Sequence, residues 1–304
     1  MAAARRRPPR RRVRRGWVVV LVLVVAIAAL GGGVVAVVHW LDRAFAAPFV
    51  AACTATDEGS SYQLSPAQAD NAAVISAVAV RRGLPARAAT IALATALQES
   101  GLINLNHGDL DSLGLFQQRP SQGWGTAEQV TDPVFATNTF YDRLVKVPHY
   151  TDLPITKAAQ AVQRSAFPDA YAAHEPRARA FASALTGWSQ ATLTCALPAA
   201  ATAGSPDAVL ARVARDLGDL PSSSTAPDEA AKTKATVTLD ATTLAPDDAA
   251  RGGWAVAQWA VAVANALQLD QVTVADQVWT RGARGWHPAA TALPAGQVLL
   301  TLAS

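Results

Sequence analysis

Glu99 closes an apolar stretch, Ala96-Leu97-Gln98-Glu99-Ser100-Gly101, and the turn Gly114-Leu115-Phe116-Gln117 follows shortly after it. A carboxyl that stays protonated until it gives its proton to a leaving oxygen is what cleavage of a glycosidic bond requires. The spacing predicts a helix from Pro85 to Ser100. Pro85 suits a first helical position, Ala88, Ile91, Ala92, Thr95 and Glu99 recur at three- and four-residue steps, and Gly101 fits the left-handed residue that ends helices. Glu99 then sits in the last turn, at the negative end of the helix dipole, where the protonated form of a carboxyl is favoured. Alone, a glutamate at a helix end is an ordinary solvated residue. Its neighbours set this one apart.

The elements around it read as helical from Ser65 to Gly187. Ser65-Pro66-Ala67-Gln68 has the form of a capping box and opens a helix that runs to Arg82, before Gly83. Asp132-Pro133 opens another, carrying Val134, Phe135, Asn138, Tyr141 and Leu144, and Ile155 to Phe167 and Ala178 to Leu185 supply two more. No strand pattern interrupts them, so residues 53–195 are expected to form an all-α domain with a core of its own.

The order Glu99-Ser100, a loop, then Gly114-Leu115-Phe116-Gln117 resembles the lysozyme-like superfamily, in its soluble lytic transglycosylase and goose-type lysozyme branch, over about residues 60–190. That branch has Glu-Ser at a helix end and then Gly-Leu-Met-Gln, with Phe116 here in place of Met. The resemblance implies that Glu99 is the catalytic acid and base. It also implies that Ser100, Gly114, Leu115, Phe116 and Gln117 belong to the sugar-binding groove, and that the substrate is the glycan strand of peptidoglycan. The branch's third motif, Tyr-Asn-Ala-Gly, has no literal copy. Its nearest counterpart is Gln160-Ala161-Val162-Gln163-Arg164-Ser165 followed by Phe167, Asp169 and Tyr171, which makes Gln163 and Tyr171 candidate groove residues. Trp124, in Arg119-Pro120-Ser121-Gln122-Gly123-Trp124-Gly125, either stacks on a sugar ring or anchors its loop.

Mechanism turns on a second carboxylate. A hydrolase sets two across the bond. A lytic transglycosylase, as the resemblance implies, uses one group that protonates the leaving oxygen and then takes the proton of the muramyl 6-hydroxyl, closing a 1,6-anhydro ring without water. Asp109 and Asp111 lie in the intervening loop and are either the second carboxylate of a muramidase or turn residues bonded to their own backbone.

The net charge of +3 is misleading, because residues 1–15 hold eight of the 26 Lys and Arg and no acid; the remainder carries 18 basic against 23 acidic residues. An acidic body gives no support to nucleic-acid binding. The basic segment, 1–16, precedes the uncharged run Trp17 to Trp40, which at ~1.5 Å per residue reaches ~36 Å as a helix, enough to cross a bilayer. Residues 17–41 are therefore expected to anchor the chain in the cytoplasmic membrane, N-terminus inside and bulk extracytoplasmic. Cleavage of a signal peptide near Ala46 is the alternative. The chain's two cysteines, Cys53 and Cys195, flank the region of resemblance on the outer side, where a pair of thiols is expected to be bridged. Neither their number nor their spacing suggests a metal, and the chemistry calls for no cofactor.

Residues 196–206, rich in Ala, Pro, Gly and Thr, read as a linker to a small α+β domain over 207–304. Its expected elements are a helix at Asp207 to Leu217, a flexible stretch from Pro221 to Lys234, strands at Thr236 to Leu239, Gln271 to Val274 and Val298 to Leu302, and an apolar helix from Trp254 to Leu267. The run from Trp254 through Trp259 and Trp279 to Trp286-His287-Pro288 resembles a C-terminal domain of actinobacterial cell-wall proteins with no assigned activity. Its tryptophans are either glycan contacts or core. Against the enzyme stands a second reading, a cell-wall binding or scaffolding protein that keeps the fold without catalysis.

Overall fold

The computed structural model describes residues 49–165, 169–228 and 230–304. The expected anchor at 17–41 and the basic segment before it lie outside them. Among the described residues no helix is long and apolar enough to cross a membrane.

The chain enters through a hairpin. Strands β1 (Ala52–Asp57) and β2 (Ser60–Leu64) are antiparallel and joined by Glu58 and Gly59, both at positive φ (48° and 80°), as a two-residue hairpin turn that follows strand twist requires. Strand β3 (Leu193–Ala196) pairs with the other edge of β1, giving the order β2-β1-β3. Residues 53–195 are thus not all-α, as the sequence suggested. In β1 the inward residues are only Cys53 and Ala55, so the alternation carries too little apolar bulk to be seen. Cys53 and Cys195 face each other across β1 and β3, with Cα atoms 3.9 Å apart, and are joined by a disulfide.

Helix α1 (Pro66–Arg81) starts as its sequence dictates: Ser65 Oγ accepts from Gln68 N–H, and the Gln68 side chain accepts from Ser65 N–H. Every residue from Ala72 to Val80 is buried, so this helix is the axis of the core rather than a surface element. Helix α2 (Ala86–Ser100) is buried from Ala88 to Leu97. Pro85 is its N-cap, with extended φ/ψ, one residue before the position read from sequence. Its C-terminus is a Schellman closure: Gly101 adopts φ 63°, Leu102 N–H donates to Ala96 O at 3.0 Å, and Leu102 is fully buried. Around this pair lie α3 (Ala127–Val130), α4 (Pro133–Leu144, capped by Asp132), α5 (Ile155–Gln163) and α6 (Glu175–Leu185), the last preceded by a 3-10 turn at Ala170–His174. Helix α5 ends at Gln163, four residues earlier than its periodicity suggests, because Arg164 turns into the left-handed region (φ 54°).

The remainder comprises α7 (Pro206–Leu217), the long helix α8 (Ala249–Leu267) and an antiparallel sheet of β4 (Ser222–Thr225), β5 (Thr236–Asp240), β6 (Leu269–Val274), β7 (Gln277–Thr280), β8 (Trp286–Pro288) and β9 (Gln297–Leu302), in the order β4-β5-β9-β6-β7-β8. Helix α8 is buried all round from Gly252 to Ala264, packing on β6 and β9 and also on α1, α6 and β3. Consequently 196–206 does not tether an independent domain. Ala51–Ser304 is one unit with one core.

A buried amide joins the two parts. Gln258, on α8, donates from Nε2 to Ala184 O and Ser189 O and accepts at Oε1 from Thr192 and Leu193 N–H, so all its bonding capacity is used across the junction. Asp216 does the same for α7: wholly buried, it accepts from Arg212, Arg215 and Trp259 Nε1, and Arg212 continues to Asp70 on α1. The tryptophans of this region are core. Trp254, Trp259 and Trp279 are buried, which removes them as glycan contacts, and the partly buried Trp286 packs edge-on against Trp254 and donates from Nε1 to Leu193 O.

Candidate active-site cleft

Glu99 reaches the surface because the Schellman closure stops α2 directly after it. The side chain is half-buried, and the hydroxyl of Tyr171, from the 3-10 turn before α6, donates to Glu99 Oε1 at 2.7 Å. Tyr171 is itself fully buried and hydrogen-bonded to Ser165 as well. Burial first, then the hydrogen bond to Glu99 and its charge, push the phenol well above its ordinary range. It therefore remains a donor at any working pH and holds one oxygen of the carboxyl. The sequence placed Tyr171 in the sugar groove; in the structure its ring is enclosed in the core behind Glu99 and does not line the cleft.

The glycine turn is tied to the same helix end. Ser100 Oγ lies 2.7 Å from Leu115 O and 3.0 Å from Ala96 O, so the hydroxyl spans from α2 to the turn. Leu113 and Gln118 exchange both backbone hydrogen bonds at 3.0 Å, pinching the turn into a small hairpin, while Gln117 at φ 48° lets its side chain fold back to His107 O and Gly114 O. Leu115 and Phe116 are fully buried, with Phe116 stacked on Phe140 at 4.7 Å; their side chains anchor the turn and touch no groove, contrary to the expectation drawn from the motif. Gln163 Nε2 donates to Phe116 O at 2.8 Å, so the end of α5 locks the turn from the opposite side.

Gly114 has a steric reason to be glycine. Its φ is +78°, and a Cβ there would lie 2.1 Å from Val130 O. Gly114→Ala should lower stability by about 2–4 kcal/mol, combining the left-handed backbone with the displacement of α3. Urea unfolding reads this directly, and a loss below about 0.5 kcal/mol would show that the turn is not pinned against α3.

These elements enclose a cleft of about 520 Å³. Of the residues expected from sequence, Glu99, Asp109, Gln117, Trp124 and Gln163 line it. The wall is completed by Ser112, Arg119, Gln122, Arg164 and Ser165, which sequence reasoning did not single out. Polar side chains on loops carry no periodicity, although Arg119 and Arg164 adjoin the motifs already noted.

Trp124 is not an open stacking platform: only 5% of it is exposed, and the guanidinium of Arg143 lies 3.3 Å from its ring centroid. Of the two sequence readings, loop anchor is the one its surroundings fit. Asp111 accepts from Ser121 N–H at 2.8 Å and from Ser121 Oγ at 3.0 Å, bonds that hold its carboxyl below the usual range and employ it as a loop clasp. Asp109 reaches the cleft mouth, 84% exposed at its side chain, and pairs with Arg119 at 2.6 Å. Neither aspartate has the half-buried setting against a buried hydroxyl that Glu99 has.

Among the described residues no group of His, Cys, Asp and Glu has the arrangement to hold a metal ion. The cleft lining holds two carboxyls, Glu99 with the Tyr171 hydroxyl behind it and Asp109 paired with Arg119, among amide and guanidinium groups. No protein-family model matches the chain, and comparison with curated proteins finds no relative.

Proposed function

We propose that the protein is an extracytoplasmic, peptidoglycan-cleaving lytic transglycosylase that breaks the β-1,4 bond between N-acetylmuramic acid and N-acetylglucosamine, with Glu99 as general acid and then general base. The observation that carries this reading is the Tyr171–Glu99 hydrogen bond at the floor of a polar cleft. With Oε1 held by the phenol, the second oxygen delivers a proton to the glycosidic oxygen as the C1–O bond breaks. The 6-hydroxyl of the same muramyl residue then bonds to C1 and returns its proton to Glu99, so the enzyme is regenerated and no water is consumed. The employment of Asp109 and Asp111 in loop contacts favours this single-carboxyl route over the two-carboxyl hydrolytic one. The Cys53–Cys195 disulfide fits an oxidising compartment, where peptidoglycan lies.

Mass analysis of muropeptides after digestion tests the proposal. Anhydro-muramyl ends support it, reducing ends replace it with a muramidase, and an absence of products leaves a binding or scaffolding protein. Tyr171→Phe should lower kcat about 10- to 100-fold, the equivalent of about 1.5–3 kcal/mol for a hydrogen bond to a carboxyl that becomes charged in the transition state, with KM little changed and stability lowered by about 1–2 kcal/mol through loss of the buried hydroxyl's bonds. A rise in KM at constant kcat would instead return Tyr171 to the sugar groove.

A further inference from the structure

The part of the cleft wall formed by the end of α5 carries a charge that the proposed reaction does not use. Arg164 lines the cleft, is exposed, and forms no ion pair with a described residue. Its backbone is nonetheless fixed. Its N–H donates to Gln160 O at 2.9 Å in the left-handed closure of α5, the preceding Gln163 is bonded to Phe116 O, and the following Ser165 O accepts from Gln160 Nε2. A second guanidinium backs it. Arg143, stacked on Trp124 behind the same wall, also pairs with no described carboxylate, and burial together with the like charge of Arg164 holds it below its usual range. The two acids in the lining are otherwise committed: Asp109 is neutralised by Arg119, and Glu99 is bonded to Tyr171. A positive centre on a fixed backbone, with a like charge beside it and no counter-ion among the described residues, is electrostatically suited to an anion.

Resting on the reading of the cleft as a peptidoglycan site, we propose that Arg164, backed by Arg143, binds a carboxylate of the peptide stem carried on the muramyl lactyl group, making this wall a subsite for stem-bearing glycan. Neutral N-acetylglucosamine offers such a wall nothing, whereas the stem presents carboxylates beside the ring whose bond is cleaved. A guanidinium meets a carboxylate with paired N–H donors, and the contact is lost when the carboxylate is amidated.

The test uses the full chain carrying Glu99→Gln, so that ligand is not consumed, and calorimetric titration with a disaccharide-tetrapeptide in free-acid and fully amidated forms. The free acid should bind about tenfold more tightly than the amide. Arg164→Ala should abolish that preference while leaving affinity for the amide unchanged, and Arg164→Lys should restore part of it. An undiminished preference in Arg164→Ala, no preference in the parent, or no binding of either ligand would overturn the proposal. Cleavage of stem-bearing glycan strands by the protein with native Glu99 and Arg164, read as anhydro ends, reports separately on the catalytic reading. Anhydro ends without a carboxylate preference refute only the subsite, whereas a preference without cleavage refutes only the transglycosylase.

Discussion

Glu99→Gln should reduce glycan cleavage at least ~10³-fold and leave the fold unchanged. General acid–base catalysis by one positioned group contributes roughly 10²- to 10⁴-fold, and here the same group serves both the protonation and the deprotonation, so losing it removes both contributions. The substitution is nearly isosteric, and the carbonyl oxygen of glutamine still accepts the Tyr171 hydroxyl that now meets Oε1. Because the side chain is only half-buried and lies at the end of α2, a stability change within about 1 kcal/mol is expected. Release of soluble muropeptides from purified peptidoglycan measures the effect. A variant that keeps more than about a tenth of the activity removes Glu99 from the chemistry, and attention then passes to Asp109, the other carboxylate in the lining.

The second large effect is on stability. Replacing Cys53 and Cys195 together by serine should cost about 3–5 kcal/mol. The bridge spans a sequence separation of 142, for which the chain-entropy estimate is about 5 kcal/mol. Residual order in the reduced chain works against that figure, and two buried hydroxyls in place of sulfur add to the cost. The loop so closed contains α1 through α6, hence Glu99 and every lining residue of the cleft. Urea midpoints with and without reductant should therefore shift together with loss of activity. Equal midpoints would mean that pairing of β1 with β3 holds the ends without the bridge.

Much of the frame around Glu99 is legible in the chain because its determinants are local. Ser65 with Gln68, and Asp132 with Phe135 N–H, each close over three residues, and Gly101 ends α2 within its last turn. Strands β1 and β3 are hidden by contrast, since short runs with small inward residues form strands only when a distant partner supplies the hydrogen bonds. The linker at 196–206 was misread for a related reason. Its Ala-, Pro- and Gly-rich composition is that of a flexible tether, yet Ala201 N–H is held by Gln268 Oε1 and Gly204 N–H by Ala303 O, and both partners are far along the sequence.

By itself the sequence determines where Glu99 sits on its helix, that a glycine turn follows it, that two thiols flank the region, and which stretches are helical, because each depends on contacts within about one helical turn or on residue type alone. Only the tertiary structure decides that Tyr171, 72 residues away, holds the carboxyl, that Arg143 covers Trp124, that Leu115 and Phe116 point inward, and that Gln258 fuses the final hundred residues to the core. Those outcomes arise from how helices and sheet pack, when hydroxyl, guanidinium and amide groups must find partners away from water, and no local periodicity encodes which partner that will be.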